Sequence, residues 1–246
     1  PTGMVTCLSS VGEQGQGAEG AFAQIAASAV GVTMDKVRVI TGDTGVTPYG
    51  GGTWASRGAG IGGEAVLQAG RALRSNILDV AAHILGADRA ELDIAGNEVV
   101  NRLTLEAKLT LAELGRVAYF RPDTLPLKFQ SELTVTRHYT PREYGFTFSN
   151  GIQACLVEVD VETGHVTLVD YLGVGDVGTV VNPRSLLAQI KGGSCLGIAH
   201  ALFQKSVVDP QYGHSLARRF HYSKPLTILD IPATMSASAL NIADPE

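Results

Sequence analysis

Gly12-Glu13-Gln14-Gly15-Gln16-Gly17-Ala18-Glu19-Gly20 lies between an alternating apolar run, residues 4–8, and a stretch in which Phe22, Ile25, Ala26, Ala29 and Val30 fall on one helical face. A strand, a glycine turn and a helix that Gly31 can end therefore open the chain. Val37, Val39 and Ile40 supply a second β-rich run, so strands and helices are both present from the outset. Within the turn, Gly15 to Gly20 spells G-x-G-x-x-G, and bare amides at a helix N-terminus attract an anion or let a flat ligand approach the backbone. The dinucleotide version of that motif also needs an acidic residue about twenty positions on, and Asp35, which precedes the next strand, and Asp43 fit that role poorly. Read by itself, the motif is equally a tight turn into a helix with no ligand.

A second loop of the same kind follows. Gly50-Gly51-Gly52-Thr53-Trp54-Ala55-Ser56-Arg57-Gly58 closes a long polar stretch that begins near Thr41 and feeds a helix expected over residues 63–85, with Gly86 as its stop. Trp54, the single tryptophan, is either a core or interface anchor or a ligand contact, and Arg57 either a phosphate partner or a structural ion pair. Further on, residues 92–94 and 98–100 read as a hairpin about Ala95-Gly96-Asn97, and Thr110 with Glu113 has capping-box spacing. Residues 121–129 carry two prolines and no period, which makes them a connector. Beyond it, residues 132–139 are strand-like, residues 152–161 and 166–174 form a hairpin, and Asn182-Pro183 opens a helix. On that helix Gly192 and Gly193 cost about 1 kcal/mol each against alanine, which implies a close approach to the backbone there.

Composition narrows the classes. Glycine supplies 29 of 246 residues and charged residues 17%, so few charges clothe the surface and part of it is expected to be covered by another chain. A net charge of −5 without a basic block argues against nucleic acid or an anionic membrane surface. Cys7, Cys155 and Cys195 are odd in number and far apart, which fits a reduced, cytoplasmic protein. The longest apolar stretch, residues 21–32, is too short for a membrane span, and Pro1-Thr2-Gly3-Met4 reads as an internal point of a longer chain. His83 and His138 read as structural; His200 has a modest claim to line a cavity. Glu13 is either a helix-terminus carboxylate or a solvated side chain. Glu158 and Asp160 read as features of the fold.

In this order, Gly12-Glu13-Gln14-Gly15-Gln16-Gly17, Gly42-Asp43-Thr44, the Gly51-Gly52-Thr53-Trp54-Ala55-Ser56-Arg57 loop, Val157-Glu158-Val159-Asp160, Gly175-Asp176-Val177-Gly178, Asn182-Pro183, Gln189, Gly192-Gly193 and Gly197-Ile198 resemble the xanthine dehydrogenase/aldehyde oxidase family of molybdenum hydroxylases. The likeness covers nearly the whole chain, is to the second molybdopterin-binding half of the large subunit, and is nearest the carbon monoxide dehydrogenase-like branch. It implies an α+β, two-lobed cofactor-binding fold with mixed sheets and helices packed on them, residues 1–128 forming one lobe and residues 129–246 the other. It implies molybdopterin, free or as its cytosine dinucleotide, with molybdenum held by the pterin dithiolene, so that no side chain is a metal ligand. Gln14, Gly15, Gln16 and Gly17 resemble the loop that holds the cofactor. Gly52, Thr53, Trp54, Ala55, Ser56 and Arg57 resemble the loop at metal and phosphate, with Ala55 leaving space for substrate, and Gln189 resembles a pterin-binding glutamine.

There are departures. Ala188 stands before Gln189 where the family has glycine, and Leu196 stands before Gly197 where it often has glutamine. The family's catalytic glutamate, in a Gly-x-Gly-Glu stretch, has no counterpart, since Glu246 lacks that context; no catalytic residue is therefore assigned. The implied parent reaction inserts water-derived oxygen into a C–H bond of an aldehyde or N-heteroaromatic. Iron–sulfur clusters and FAD are expected on partner subunits, beside the first molybdopterin-binding half, and the isolated chain is expected to be inactive and to self-associate. The other readings are a non-catalytic remnant or interaction module of the same fold and a dinucleotide-binding oxidoreductase.

Overall fold

A computed structural model describes residues 2–129, 133–141 and 148–243. Contacts divide the chain into two units, residues 1–147 and 148–246, later than the lobe boundary expected after residue 128. The connector expected over residues 121–129 is largely two single 3₁₀ turns, Pro122–Thr124 and Leu127–Phe129.

The first unit opens with β1 (Val5–Ser9), α1 (Ala18–Val30) and β2 (Val37–Thr41), in which β1 and β2 pair in parallel, Val5 opposite Val37 through Ser9 opposite Thr41. This is a β-α-β unit, the setting that joins parallel strands by a helical crossover. α1 buries Phe22, Ala26, Ala27, Ala29 and Val30, close to the expected face, with Ile25 at its edge. Gly31 ends it with φ +96°, its N–H and that of Val32 both donating to the Ala27 carbonyl.

A turn of π-helix, Gly58–Gly62, leads into α2 (Gly63–Leu85), which ends at Gly86 as expected. Gly62 faces Phe22, Gly63 faces Ile25 and Gly70 faces Ala29, so α1 and α2 run side by side in the same sense. At Gly70 the approach leaves no room for a side chain: a Cβ there would lie 2.5 Å from that of Ala29. Below the helices, Val30, Ile77, Val80, Ala81, Leu92, Ile94, Val99 and Leu114 form the main core. Arg74, on α2, ties the layers together. Its guanidinium donates to the Val30 carbonyl at the end of α1, to the Ile94 carbonyl and to the Asp93 carboxylate.

Ile94 and Asp93 belong to the expected hairpin, β3 (Leu92–Ala95) and β4 (Glu98–Asn101), whose Gly96 and Asn97 both have positive φ, as a two-residue type I′ turn requires. A third strand, β5 (Ala107–Thr110), joins β4 and was not legible in the sequence. It precedes α3 (Leu111–Phe120), which carries the capping box: Thr110 accepts from the Glu113 N–H, and the Glu113 carboxylate accepts from the Thr110 N–H.

The expected strand over residues 132–139 is corrected. Its first residue lies outside the described residues, and residues 133–139 run as irregular chain. β-propensity alone makes no strand where no ladder partner takes up the backbone groups.

The second unit is a mixed sheet, β6 (Asn150–Val159) antiparallel to β7 (Val166–Asp176), and β7 parallel to β8 (Thr234–Leu240). α4 (Pro183–Leu202) starts at Pro183, with the Asn182 side chain accepting from the Ser185 N–H. It lays Ile190, Ser194 and Ile198 against the sheet, where Gly173 and Gly175 on β7 make room for Ile190. Gly192, Gly193 and Gly197 are exposed, with open space beside each beyond the helix's own backbone. All ten residues of β6 are exposed, Ile152 at 76% and Leu156 at 61%.

Gly31 and Gly70 test this packing. Gly31→Ala places a Cβ against Arg74 and the Ile94 carbonyl at a left-handed backbone position, and should cost about 2 kcal/mol or more in denaturant unfolding. Gly70→Val forces the helices apart, an overpacking cost of about 1–3 kcal/mol by the same measurement.

Candidate cofactor site

Because α1 and α2 run in the same sense, the loops that feed them arrive at the same end. Direct bonds join them. The Thr53 hydroxyl donates to the Gly12 carbonyl at 2.8 Å, and the Gln14 amide reaches the Thr53 carbonyl at 3.5 Å. Gly50 lies so close to the Ser10 hydroxyl that a Cβ there could not be placed. The structure thus brings together Gln14, Gly15, Gln16, Gly17, Gly52, Thr53, Trp54, Ala55, Ser56 and Arg57 within the first unit. Gln189 lies in the second unit, exposed on α4.

In the first loop Gly15 and Gly17 have φ +94° and +87°, turning successive N–H groups inward. What they meet is Glu13. One carboxylate oxygen accepts from Gly15 at 2.8 Å and from Gly17 at 2.9 Å, the other from Glu19 at 3.0 Å. Partial burial by itself would raise the pKa of this carboxyl, but the N–H groups of Glu19, Gly17, Gly15 and Gln14 outweigh it and hold the pKa below its ordinary value. Of the two roles open to Glu13, the helix-terminus carboxylate is the one adopted, and a group so stabilised in its charged form is a poor base. The same bonds bear on the dinucleotide reading, because the amides on which it rests are already taken. Gln16 folds over its own loop, accepting from the Gln14 N–H at 2.6 Å and donating to the Gly12 carbonyl at 3.1 Å. Each amide atom keeps a further donor or acceptor position.

In the second loop Gly51 and Gly52 have positive φ, and so do Ala55 (+49°) and Ser56 (+58°), two consecutive residues with side chains in a region that disfavours them. Such strain persists where the surroundings hold it, here the Thr53 bond on one side and the π-turn on the other. Trp54 is 59% exposed, which removes the core-anchor reading; its indole N–H donates to the Gly51 carbonyl. The Arg57 guanidinium sits 5.5 Å from the ring centroid and reaches the Gly52 carbonyl at 3.5 Å. The loop therefore presents an indole, a guanidinium, a hydroxyl and bare backbone to solvent.

The other candidates fall outside this constellation. His83 faces the Thr124 carbonyl and the Phe129 ring, a structural placement. His138 lies in irregular chain and His200 is exposed on α4. Asp160 accepts from the Glu162 and Thr163 N–H groups in the β6–β7 turn, and these bonds lower its pKa. Cys7 is pushed up to about 11 by burial, which keeps it a thiol rather than a thiolate near neutral pH. Among the described residues no group of three or more His, Cys, Asp or Glu is placed to hold a metal ion, and no helix is long and apolar enough to cross a membrane. Sequence reasoning missed the clamp by Glu13; its signal was a carboxylate four residues before a glycine that begins a helix and cannot cap it.

Comparison with known proteins supplies the family of the chain. The family described as the molybdopterin cofactor-binding domain matches residues 1–232. The chain is 30% identical over 249 residues to the nicotine 6-hydroxylase large subunit of Paenarthrobacter nicotinovorans, covering 97% of this chain and 30% of that protein. It is 31% identical to the carbon monoxide dehydrogenase large chain of Hydrogenophaga pseudoflava, over 86% of this chain and 26% of that one. The solved structure of quinoline 2-oxidoreductase from Pseudomonas putida 86 superposes with a TM-score of 0.87 at 32% identity, across 100% of this chain and 30% of that one. The chain thus spans less than a third of the length of these relatives. With a likeness in sequence and fold that runs through both glycine loops and the helix of Gln189, the chain belongs to the molybdopterin cofactor-binding domain family of the molybdenum hydroxylase large subunits.

Proposed function

We propose that this chain forms part of the molybdopterin-binding wall of a molybdenum hydroxylase that oxidises an aldehyde or N-heteroaromatic C–H bond with water-derived oxygen. The observation that carries the reading is the pair of glycine loops bonded to each other at one end of two parallel helices, with open space beside the Cα atoms of Gly15 and Gly52. Those residues fit a pterin. Its edge alternates hydrogen-bond donors and acceptors, and the carboxamides of Gln14 and Gln16 each offer both kinds. Gly15 and Gly52 admit close approach, while Ser56 and Arg57 supply a hydroxyl and a planar cation suited to a phosphate, in either the free or the cytosine dinucleotide form. When bound, the cofactor supplies the two-electron redox chemistry of molybdenum. The small side chain of Ala55, held at positive φ, leaves room for a substrate ring or aldehyde. Thr53 fixes the two loops relative to each other, so that what binds one is oriented by the other.

Glu13 is committed to backbone amides and does not suit proton abstraction; the electron acceptors are assigned to partners. These are the first molybdopterin-binding half of the large subunit and subunits carrying iron–sulfur clusters and FAD, in the cytoplasm, where the free cysteines Cys7, Cys155 and Cys195 stay reduced. Exposed apolar side chains on β6 support a covered surface.

Three measurements test this. The chain co-expressed with these partners should carry molybdenum and pterin, and Gln14→Ala or Gln189→Ala should weaken cofactor retention about 3- to 10-fold, the net worth of one hydrogen bond; absence of pterin from the assembled complex favours a non-catalytic module instead. The chain purified alone should show no dye-linked hydroxylation, and full activity there defeats the reading. In light scattering the isolated chain should self-associate, whereas a clean monomer at high concentration counts against a covered surface.

A further inference from the structure

The first turn of α1 lacks an ordinary cap. Gly17 occupies the N-cap position and has no side chain to accept from the N–H groups of the first turn. In a G-x-G-x-x-G loop that binds phosphate, those N–H groups and the glycine amides before them point at the ligand. Here they point at a residue of the loop itself: Gly15, Gly17 and Glu19 all donate to Glu13. The carboxylate therefore stands where an external anion would stand, and as part of the same short loop it meets the amides without the entropic cost of association.

A second set of bonds points the same way. With Glu13 turned inward, the loop's remaining polar groups are carboxamides: Gln16 bridges the Gln14 N–H and the Gly12 carbonyl, and Gln14 reaches across to Thr53. Glu19, whose N–H completes the clamp, holds Thr41 at the end of β2 through its own carboxylate at 2.9 Å, so the clamp is braced from the sheet.

We infer that Glu13 is a positioning residue that serves as the loop's internal anion: it closes the amide nest to phosphate, and it fixes the loop so that ligands meet the carboxamides of Gln14 and Gln16 rather than backbone N–H groups. A nucleotide or free phosphate must displace a tethered, triply bonded carboxylate to use this helix N-terminus, which makes the loop selective against the ligands its glycine spacing suggests. The closing of the amide nest concerns the loop without a ligand, while the meeting of ligands with Gln14 and Gln16 rests on the function proposed above.

The test uses the full chain with inorganic phosphate and acetate as probes. Hydrogen exchange read by mass spectrometry over residues 14–19 should accelerate at least about tenfold in Glu13→Ala, because three charge-assisted bonds are lost, and either anion should restore protection. Titration calorimetry should find phosphate binding at least about tenfold tighter in Glu13→Ala than in the unsubstituted chain. Exchange unchanged by the substitution, protection that neither anion restores, or equal phosphate affinity of the two proteins overturns the inference. If Glu13→Ala does not fold, Glu13→Gln carries the test. It keeps one oxygen for Gly15 and Gly17 and turns a donor toward Glu19, so loss of protection confined to the Glu19 amide supports the clamp, and no change there overturns it.

Discussion

The contact on which the rest of the first unit depends is the approach of α1 to α2 at Gly70 and Ala29. Two helices can pack in either sense, and only one of them serves this site. Because Phe22, Ile25 and Ala29 are met in order by Gly62, Gly63 and Gly70, the positive ends of both helix dipoles and both preceding loops lie at one end. The core beneath, from Val30 to Leu114, and the Arg74 bonds to Val30, Asp93 and Ile94 hold that arrangement from the opposite end. Close packing at one end and bare backbone at the other are thus two aspects of the same use of glycine.

The two loops solve different problems. The first is relaxed: its positive φ values fall on Gly15 and Gly17, and its inward amides are fully engaged by Glu13. The second carries strain at Ala55 and Ser56, where side chains occupy a backbone region that costs roughly 1–3 kcal/mol per residue. Joined through Thr53 and Gly12, a stiff, satisfied loop supports a strained one. A surface built this way presents small groups at fixed positions without the reordering that binding to a floppy loop would require.

Local chemistry was the legible part of the fold. The bounds of α2, the stop at Gly31, the Thr110–Glu113 box and the turn at Gly96-Asn97 each follow from a few neighbouring residues, and each is found as read. Where the outcome depends on partners distant in sequence, the reading failed. β5 is four residues long and exists because β4 is there to pair with it, while residues 133–139 have the composition of a strand and no ladder. The candidate loops were visible as motifs. The role of Glu13 was not, because one carboxylate among exposed residues looks the same whether it is solvated or folded onto three amides.

The parallel pairing of β7 with β8 has a consequence for α4. Between the end of β7 at Asp176 and the start of β8 at Thr234 the chain must leave the sheet and return, and α4, with Gln189, lies inside the loop so closed. The antiparallel β6–β7 hairpin needs only a short turn and stands by itself topologically, whereas closing the longer excursion costs more chain entropy and is repaid only when β8 docks. The return path from residue 203 to 233 is mostly turns and irregular chain with two isolated bridges, Gln204 with Ser223 and Val208 with Ser215. A nick anywhere along it would leave the hairpin intact yet cut the covalent return from α4 to β8, so the helix bearing Gln189 would keep its tether at one end only. In this half of the chain the placement of Gln189 thus depends on a strand that returns from far along the sequence.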